Sequence, residues 1–139
     1  MSLTSTLLTL PTVAGMVGVE YRTLHSWLKR GLLRPSHQES SGIGVPNLFS
    51  VDDAVQAKVV ADLRSYGLPF ERLAEAAEQL SSHPRALSCG ASVLVNGSVA
   101  VVDEDQAGAA IRRASLTLVY NTKYAISEIR SALHEHVPD

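Results

Sequence analysis

The 139-residue sequence has one cysteine, Cys89, and so cannot close a disulfide within a single chain. That suits a reducing compartment, and the expectation is a cytoplasmic protein. Cys89 itself reads as a small apolar filler or a passive surface thiol. Aromatic residues are scarce, with one Trp, two Phe and four Tyr, too few to announce an enclosed pocket for an effector. A large charge excess of either sign is also lacking. The formal net charge is −2, which argues mildly against a polyanionic partner when taken as a total. No apolar run is long enough to span a bilayer, and the opening MSLTSTLLTLPTVAGMVG has no basic residue before Arg22 and is broken by Pro11 and Gly15. Neither a membrane span nor an export signal is expected. His25, His37, His83, His134 and His136 do not fall at zinc-ligand spacing, so no metal site is expected. Phosphate-loop and nucleophile-elbow patterns are missing, as is a convincing Ser/His/Asp grouping. An enzyme is not expected, and no cofactor is implied.

What is present is the composition of a folded chain, 45% hydrophobic and 19% charged. The stretch TLPTVAGMVGVEYRTLHSWLKRGLLRP, residues 9–35, reads as two short helices joined by a tight turn. Thr9 or Thr12 can cap the first helix, and Pro11 is tolerated in its opening turn. Gly18 sits at the turn, where a positive φ is least costly. The second helix is expected from about Tyr21 to Lys29, stopped by Gly31 and then Pro35. Val13, Met16, Val19, Leu24, Trp27 and Leu28 suit a shared interface across the corner. Glu20, Tyr21, Arg22, His25, Ser26 and Lys29 are left on the outside. A helix with such a face fits the DNA major groove, which admits an α-helix and displays base-edge donors and acceptors. Charge placement agrees: residues 1–50 hold Arg22, Lys29, Arg30 and Arg34 against Glu20 and Glu39. Residues 51–80 hold three basic and six acidic side chains.

Ser36 to Ser50 is rich in Ser and Gly and reads as a short hairpin, a wing, anchored by Leu48 and Phe49. Ser50-Val-Asp-Asp53 opens a third helix as a capping-box-like pattern. Its apolar positions Val55, Val59, Val60 and Leu63 run to Gly67. A fourth helix follows Pro69, with Phe70, Leu73, Ala77 and Leu80 inward and Glu71, Glu75 and Glu78 on a solvated face. Ser81 to Arg85 is the linker candidate.

Beyond it the period changes. Ser92–Val95 and Ser98–Val102 are β-branched runs around Asn96-Gly97, the pattern of a type I′ hairpin with positive φ at both central residues. Asp103, Glu104 and Asp105 suit the start of a helix with a weak stripe at Ala107, Ala110, Ile111 and Ala114. Ser115–Tyr120 reads as a third strand. Asn121 or Thr122 caps a last helix with Ile126, Ile129 and Leu133 inward. The fold class expected is α+β, in two parts: a winged helix-turn-helix domain over residues 1–80 and a small ββαβα unit over 86–139. The latter is small for independent stability, so it is expected to dock, dimerise or bind a partner protein.

In order, these features resemble the DNA-binding domain of the MerR family of bacterial regulators. The likeness lies in Val13-Ala14, Gly18-Val19, Thr23-Leu24, Trp27, the run Gly31-Leu32-Leu33-Arg34-Pro35 and Leu48-Phe49-Ser50. It continues through Asp53, Leu63-Arg64 and Gly67-Leu68, covering roughly residues 8–80. The resemblance implies a second helix in the major groove, a wing on the adjacent backbone and a homodimer on paired half-sites of double-stranded DNA. Carried over by position, Arg22 is a base or phosphate contact and Trp27 closes the helical core. The candidate DNA-binding residues are Tyr21, Arg22, His25, Ser26, Lys29, Arg30, Arg34 and Asn47, with Ser41 a weaker one in the wing. Glu20 can either accept from a cytosine amino group or repel phosphates.

The departures matter. His25 and Ser26 stand where that family commonly has arginine and tyrosine, and Asn47 stands where it often has arginine. Fewer cations release fewer counterions, so a slope of log K on log salt of roughly −3 to −4 per chain is expected. The long dimerisation helix of the family is missing, because the fourth helix stops near Ser81. Any dimer contact then falls to the ββαβα unit and its free strand edges. The function expected is a sequence-specific transcriptional regulator. The competing readings are an excisionase-like architectural protein, as in phages, and an antitoxin-like repressor that binds a protein through residues 86–139.

Overall fold

The computed structural model describes residues 7–36, 47–112 and 115–136. Helix α1, Leu10–Val17, has Pro11 in its first turn, and Thr9 precedes it with its hydroxyl 3.0 Å from that of Thr12. The Thr9 side chain makes no capping bond to the backbone. Gly18 takes φ 85° and donates its N–H to the Ala14 carbonyl, closing α1 so that the chain can turn sharply. Helix α2, Tyr21–Lys29, follows after Gly18, Val19 and Glu20. Its apolar side chains Leu24 and Trp27 are buried, and Val19 and Leu28 pack against the same core.

Leu8 and Phe49 exchange two backbone hydrogen bonds of 2.8 Å, and both side chains are fully buried. The lead-in to α1 is therefore stitched to the end of the expected wing. Residues 37–46 of the expected wing, Ser41 among them, lie outside the described residues. Helix α3, Val51–Ser65, begins with the capping box that Ser50 and Asp53 suggest, each side chain bonding the other's backbone N–H. Helix α4 spans Phe70–Ser81 and buries Leu73, Ala76, Ala77 and Leu80. Residues 81–85 are exposed, yet Pro84 already opens a short helix, α5, Pro84–Ser88, whose Ala86 and Leu87 are buried.

The remainder runs β1 Ser92–Val95, β2 Val99–Val102, α6 Glu104–Ile111, β3 Leu118–Asn121 and α7 Thr122–His136. The antiparallel sheet has the order β2-β1-β3. The protein is thus α+β, helix-rich with one small sheet. Several details differ from the sequence reading. The register Val95↔Val99 leaves three residues in the hairpin loop, and Asn96 does not adopt positive φ, so the turn is not type I′. The reason lies in α4: Arg72 donates to the Gly97 carbonyl at 2.9 Å, and a Glu75 carboxylate oxygen accepts the Val99 N–H at 2.9 Å. Glu75, expected on a solvated face, is instead half-buried and ion-paired with Arg72. The third strand begins at Leu118 rather than Ser115, because β1 ends at its partner Val95.

Helix α7 lies against both α1 and α3, while β2 lies against α4. One continuous apolar core results, running from Leu8 and Val13 through Val60 and Leu80 to Val93, Ile129 and Leu133. Asn121 caps α7 by accepting the Lys123 N–H at 2.9 Å. Thr122 is fully buried; its hydroxyl accepts from Ala91 N–H and donates to the Ala86 carbonyl, both at 2.7 Å, fastening α7 to α5 and β1. Ile111, expected on the inner stripe of α6, is exposed. Among the described residues no helix is long and apolar enough to cross a membrane.

Candidate nucleic-acid interface

With Leu24 and Trp27 turned inward, the 100° step of an α-helix throws Tyr21, Arg22, His25, Ser26 and Lys29 to the opposite side. Tyr21, Arg22, Ser26 and Lys29 are exposed and His25 is half-buried. The Tyr21 and His25 rings stack, with centroids 5.9 Å apart and planes 21° from parallel. The pair therefore forms one flat ledge at the start of the helix. Glu20 precedes it as an exposed N-cap whose side chain makes no capping bond.

At the other end, Lys29, Arg34 and Asn47 line one open depression of about 480 Å³ together with Leu28, Gly31, Leu33 and Pro35. Gly31 has φ 82°, and the Leu32 N–H returns to the Trp27 carbonyl. This hook carries Leu32 and Leu33 into the core while leaving Arg34 exposed. Asn47, half-buried, approaches from the returning arm of the expected wing. Arg30 is exposed, but its guanidinium lies 3.7 Å above the Phe70 ring, which fixes its direction. All eight sequence candidates lie on α2 or on the two chain segments beside its C-terminus.

Two contributors escaped the sequence reading. Arg64, at the end of α3, places its guanidinium 6.0 Å from the Trp27 ring centre, adding an exposed cation next to α2. Ser36 donates its N–H (2.9 Å) and its hydroxyl (2.7 Å) to Asp53, and so pins the entry of the expected wing to the start of α3. The Arg64 signal was available in the Leu63-Arg64 pair. The Ser36 bond spans seventeen positions and carries no local signal. Among the described residues no group of three or more His, Cys, Asp and Glu side chains is placed to hold a metal ion.

A short helix pair across a glycine corner, with a polar outer face on the second helix, defines a helix-turn-helix protein of the DNA-binding class. The model of the MerR HTH family regulatory proteins matches residues 8–80, over half of the chain. The chain belongs to the MerR HTH family of regulators, a DNA-binding and not an enzymatic family, and is in general terms a DNA-binding transcription regulator. A comparison with curated proteins returned no match.

Proposed function

We propose that the protein is a sequence-specific regulator that reads double-stranded DNA with α2 and acts as a homodimer in the cytoplasm. One observation carries this reading: a family-matched helix-turn-helix whose second helix exposes Tyr21, Arg22, Ser26 and Lys29 opposite a buried Leu24–Trp27 seam. Arg22 is the principal groove contact, since arginine offers two donors to the O6 and N7 of guanine. Lys29, Arg34, Asn47 and the stacked Arg30 meet phosphates beside the groove; His25 and Ser26 supply neutral donors where a stronger binder would use cations. With so few cations per chain, a single copy binds weakly, and two copies on paired half-sites supply the affinity. The 86–139 unit provides the contact between copies.

Selection of bound fragments from a random DNA pool at fixed salt tests the reading. A recovered site with two related half-sites, whose affinity drops at least about tenfold with Arg22→Ala, supports it. Recovery of no common sequence, or an unchanged affinity for the best site with Arg22→Ala, removes it.

A further inference from the structure

The three-stranded sheet has two edges, and they are not equivalent. At the β2 edge the outward N–H of Val99 is taken by Glu75, and α4 lies against the strand. The β3 edge has no neighbouring strand among the described residues. The Thr122 N–H bonds the Ala91 carbonyl, which makes that pair a hydrogen-bonded position of the β1–β3 ladder. Antiparallel ladders alternate, so Leu118 and Tyr120 direct their backbone groups to β1, while Val119 directs its N–H and C=O outward.

Beside that edge is an open groove of about 440 Å³, walled by Leu63 and Tyr66 from the end of α3 and by Tyr124 from α7. Tyr66, Val119, Tyr124 and the adjacent Leu116 are large exposed apolar or aromatic side chains, at 73%, 45%, 53% and 83% exposure. The charged groups around it are already satisfied within the chain. Asp62 binds Lys58 at 3.2 Å and the Tyr120 hydroxyl, Glu128 accepts from the Tyr124 hydroxyl, and Lys123 binds Glu104 at 3.1 Å. What the edge offers is a backbone ladder and uncharged rings. Its complement is an uncharged strand, and the chain carries one: Ser115–Thr122, SLTLVYNT, has no charged residue.

We infer that β3 is the contact between copies, pairing antiparallel with β3 of a second copy about a two-fold axis at Val119. This rests on the dimer reading given above and specifies its surface. A two-fold antiparallel pairing is self-complementary, so one outward residue satisfies its own copy with two N–H···O bonds. Asn121 already turns into α7, which leaves Val119 as the strand's central outward position. The two sheets join into one of six strands, β2-β1-β3-β3-β1-β2, and no β3 edge is left free. Val119 meets Val119 of the second copy on the outer face. On the inner face, Leu118 lies opposite Tyr120 of the second copy, within reach of Tyr66 and Tyr124.

Sedimentation equilibrium of the full chain at micromolar concentrations tests the inference. The expected results are a dimer for the native chain, a dimer for Ala100→Lys on the exposed face of β2, and a dissociation constant raised about tenfold or more by Val119→Lys. An equimolar mixture of Val119→Lys and Val119→Glu recovers the dimer, since the residue faces itself across the axis. In a Cys89→Ser background, Val119→Cys cross-links two copies on mild oxidation, because Cα atoms of such a pair lie about 5.5 Å apart. A dimer that survives Val119→Lys and fails to cross-link through Val119→Cys overturns the β3 surface while leaving dimerisation in place. A native chain that stays monomeric, its edge left for the strand of an unlike protein, overturns both.

Discussion

The hydroxyl of Tyr120 donates to Asp62 across 2.5 Å, joining β3 to α3 over fifty-eight positions of sequence. Burial and then the neighbouring carboxylate push the phenol well above its ordinary value near 10, so the group stays a neutral donor into the alkaline range. An acid whose folded value is raised contributes stability that is complete below the unfolded value and lost as pH rises past it. Tyr120→Phe should lower stability by about 1.5–3 kcal/mol at neutral pH, the worth of a hydrogen bond to a charged group. It should also flatten the fall in stability above about pH 10. Urea unfolding midpoints at neutral and alkaline pH check both.

Asp52, in the first turn of α3, has its carboxyl held above the usual range by partial burial and then by Asp53, with Arg130 opposing. The sign follows directly. The folded chain keeps the proton longer than the unfolded one, so this group's contribution falls as pH climbs through the window above 3.8. Asp52→Asn should raise the melting temperature at neutral pH and change it little at strongly acid pH. Thermal melts at the two extremes read the difference, and equal shifts would show that the carboxylate is not the cause.

Glu75 holds the hairpin from α4. Glu75→Ala leaves the Val99 N–H and the Arg72 guanidinium without their carboxylate, at a cost of about 1–3 kcal/mol. Amide exchange at Val99 should accelerate by more than exchange in α3, because the release is local before it is global.

Gly18 turns the chain between α1 and α2 with φ 85°, and a Cβ there would meet nothing within 4 Å. Gly18→Ala therefore isolates backbone strain from crowding. A loss of about 1–2 kcal/mol is expected in chemical denaturation. A neutral result would mean that the turn relaxes to negative φ.

DNA affinity of the native chain should fall with salt at a log–log slope of roughly −3 to −4 per copy engaged. If Lys29 meets a phosphate as proposed, Lys29→Ala should make the slope shallower by about 1, with similar loss on all sequences. Arg22→Ala should cost more on the preferred site than on random DNA. Fluorescence anisotropy titrations at several salt concentrations separate the two.

Local signals placed most of the helices, though not α5. The Ser50/Asp53 box, Gly18, Gly31 and Gly67 mark boundaries by φ or by capping, effects complete within four or five residues. The outer face of α2 was equally legible, because 3.6-residue periodicity alone separates Leu24 and Trp27 from Arg22 and Lys29. The hairpin was not: Asn96-Gly97 favours a two-residue turn in isolation, and the bonds to Arg72 and Glu75 from another helix select a three-residue loop. Arg30 illustrates the same limit, since its stacking on Phe70 depends on where α4 begins relative to α2.

The order and kind of most elements, and the polar stripe of α2, follow from the amino acids read in windows of a few turns. That is the range over which periodicity, caps and glycine φ act. Tertiary structure alone decided that α7 lies across α1 and α3, that Glu75 is a hairpin clamp, and that, among the described residues, β3 rather than β2 carries the open edge. Each of these depends on two surfaces meeting from far apart in the chain, and an apolar or charged side chain does not name in its own neighbourhood the partner it will find.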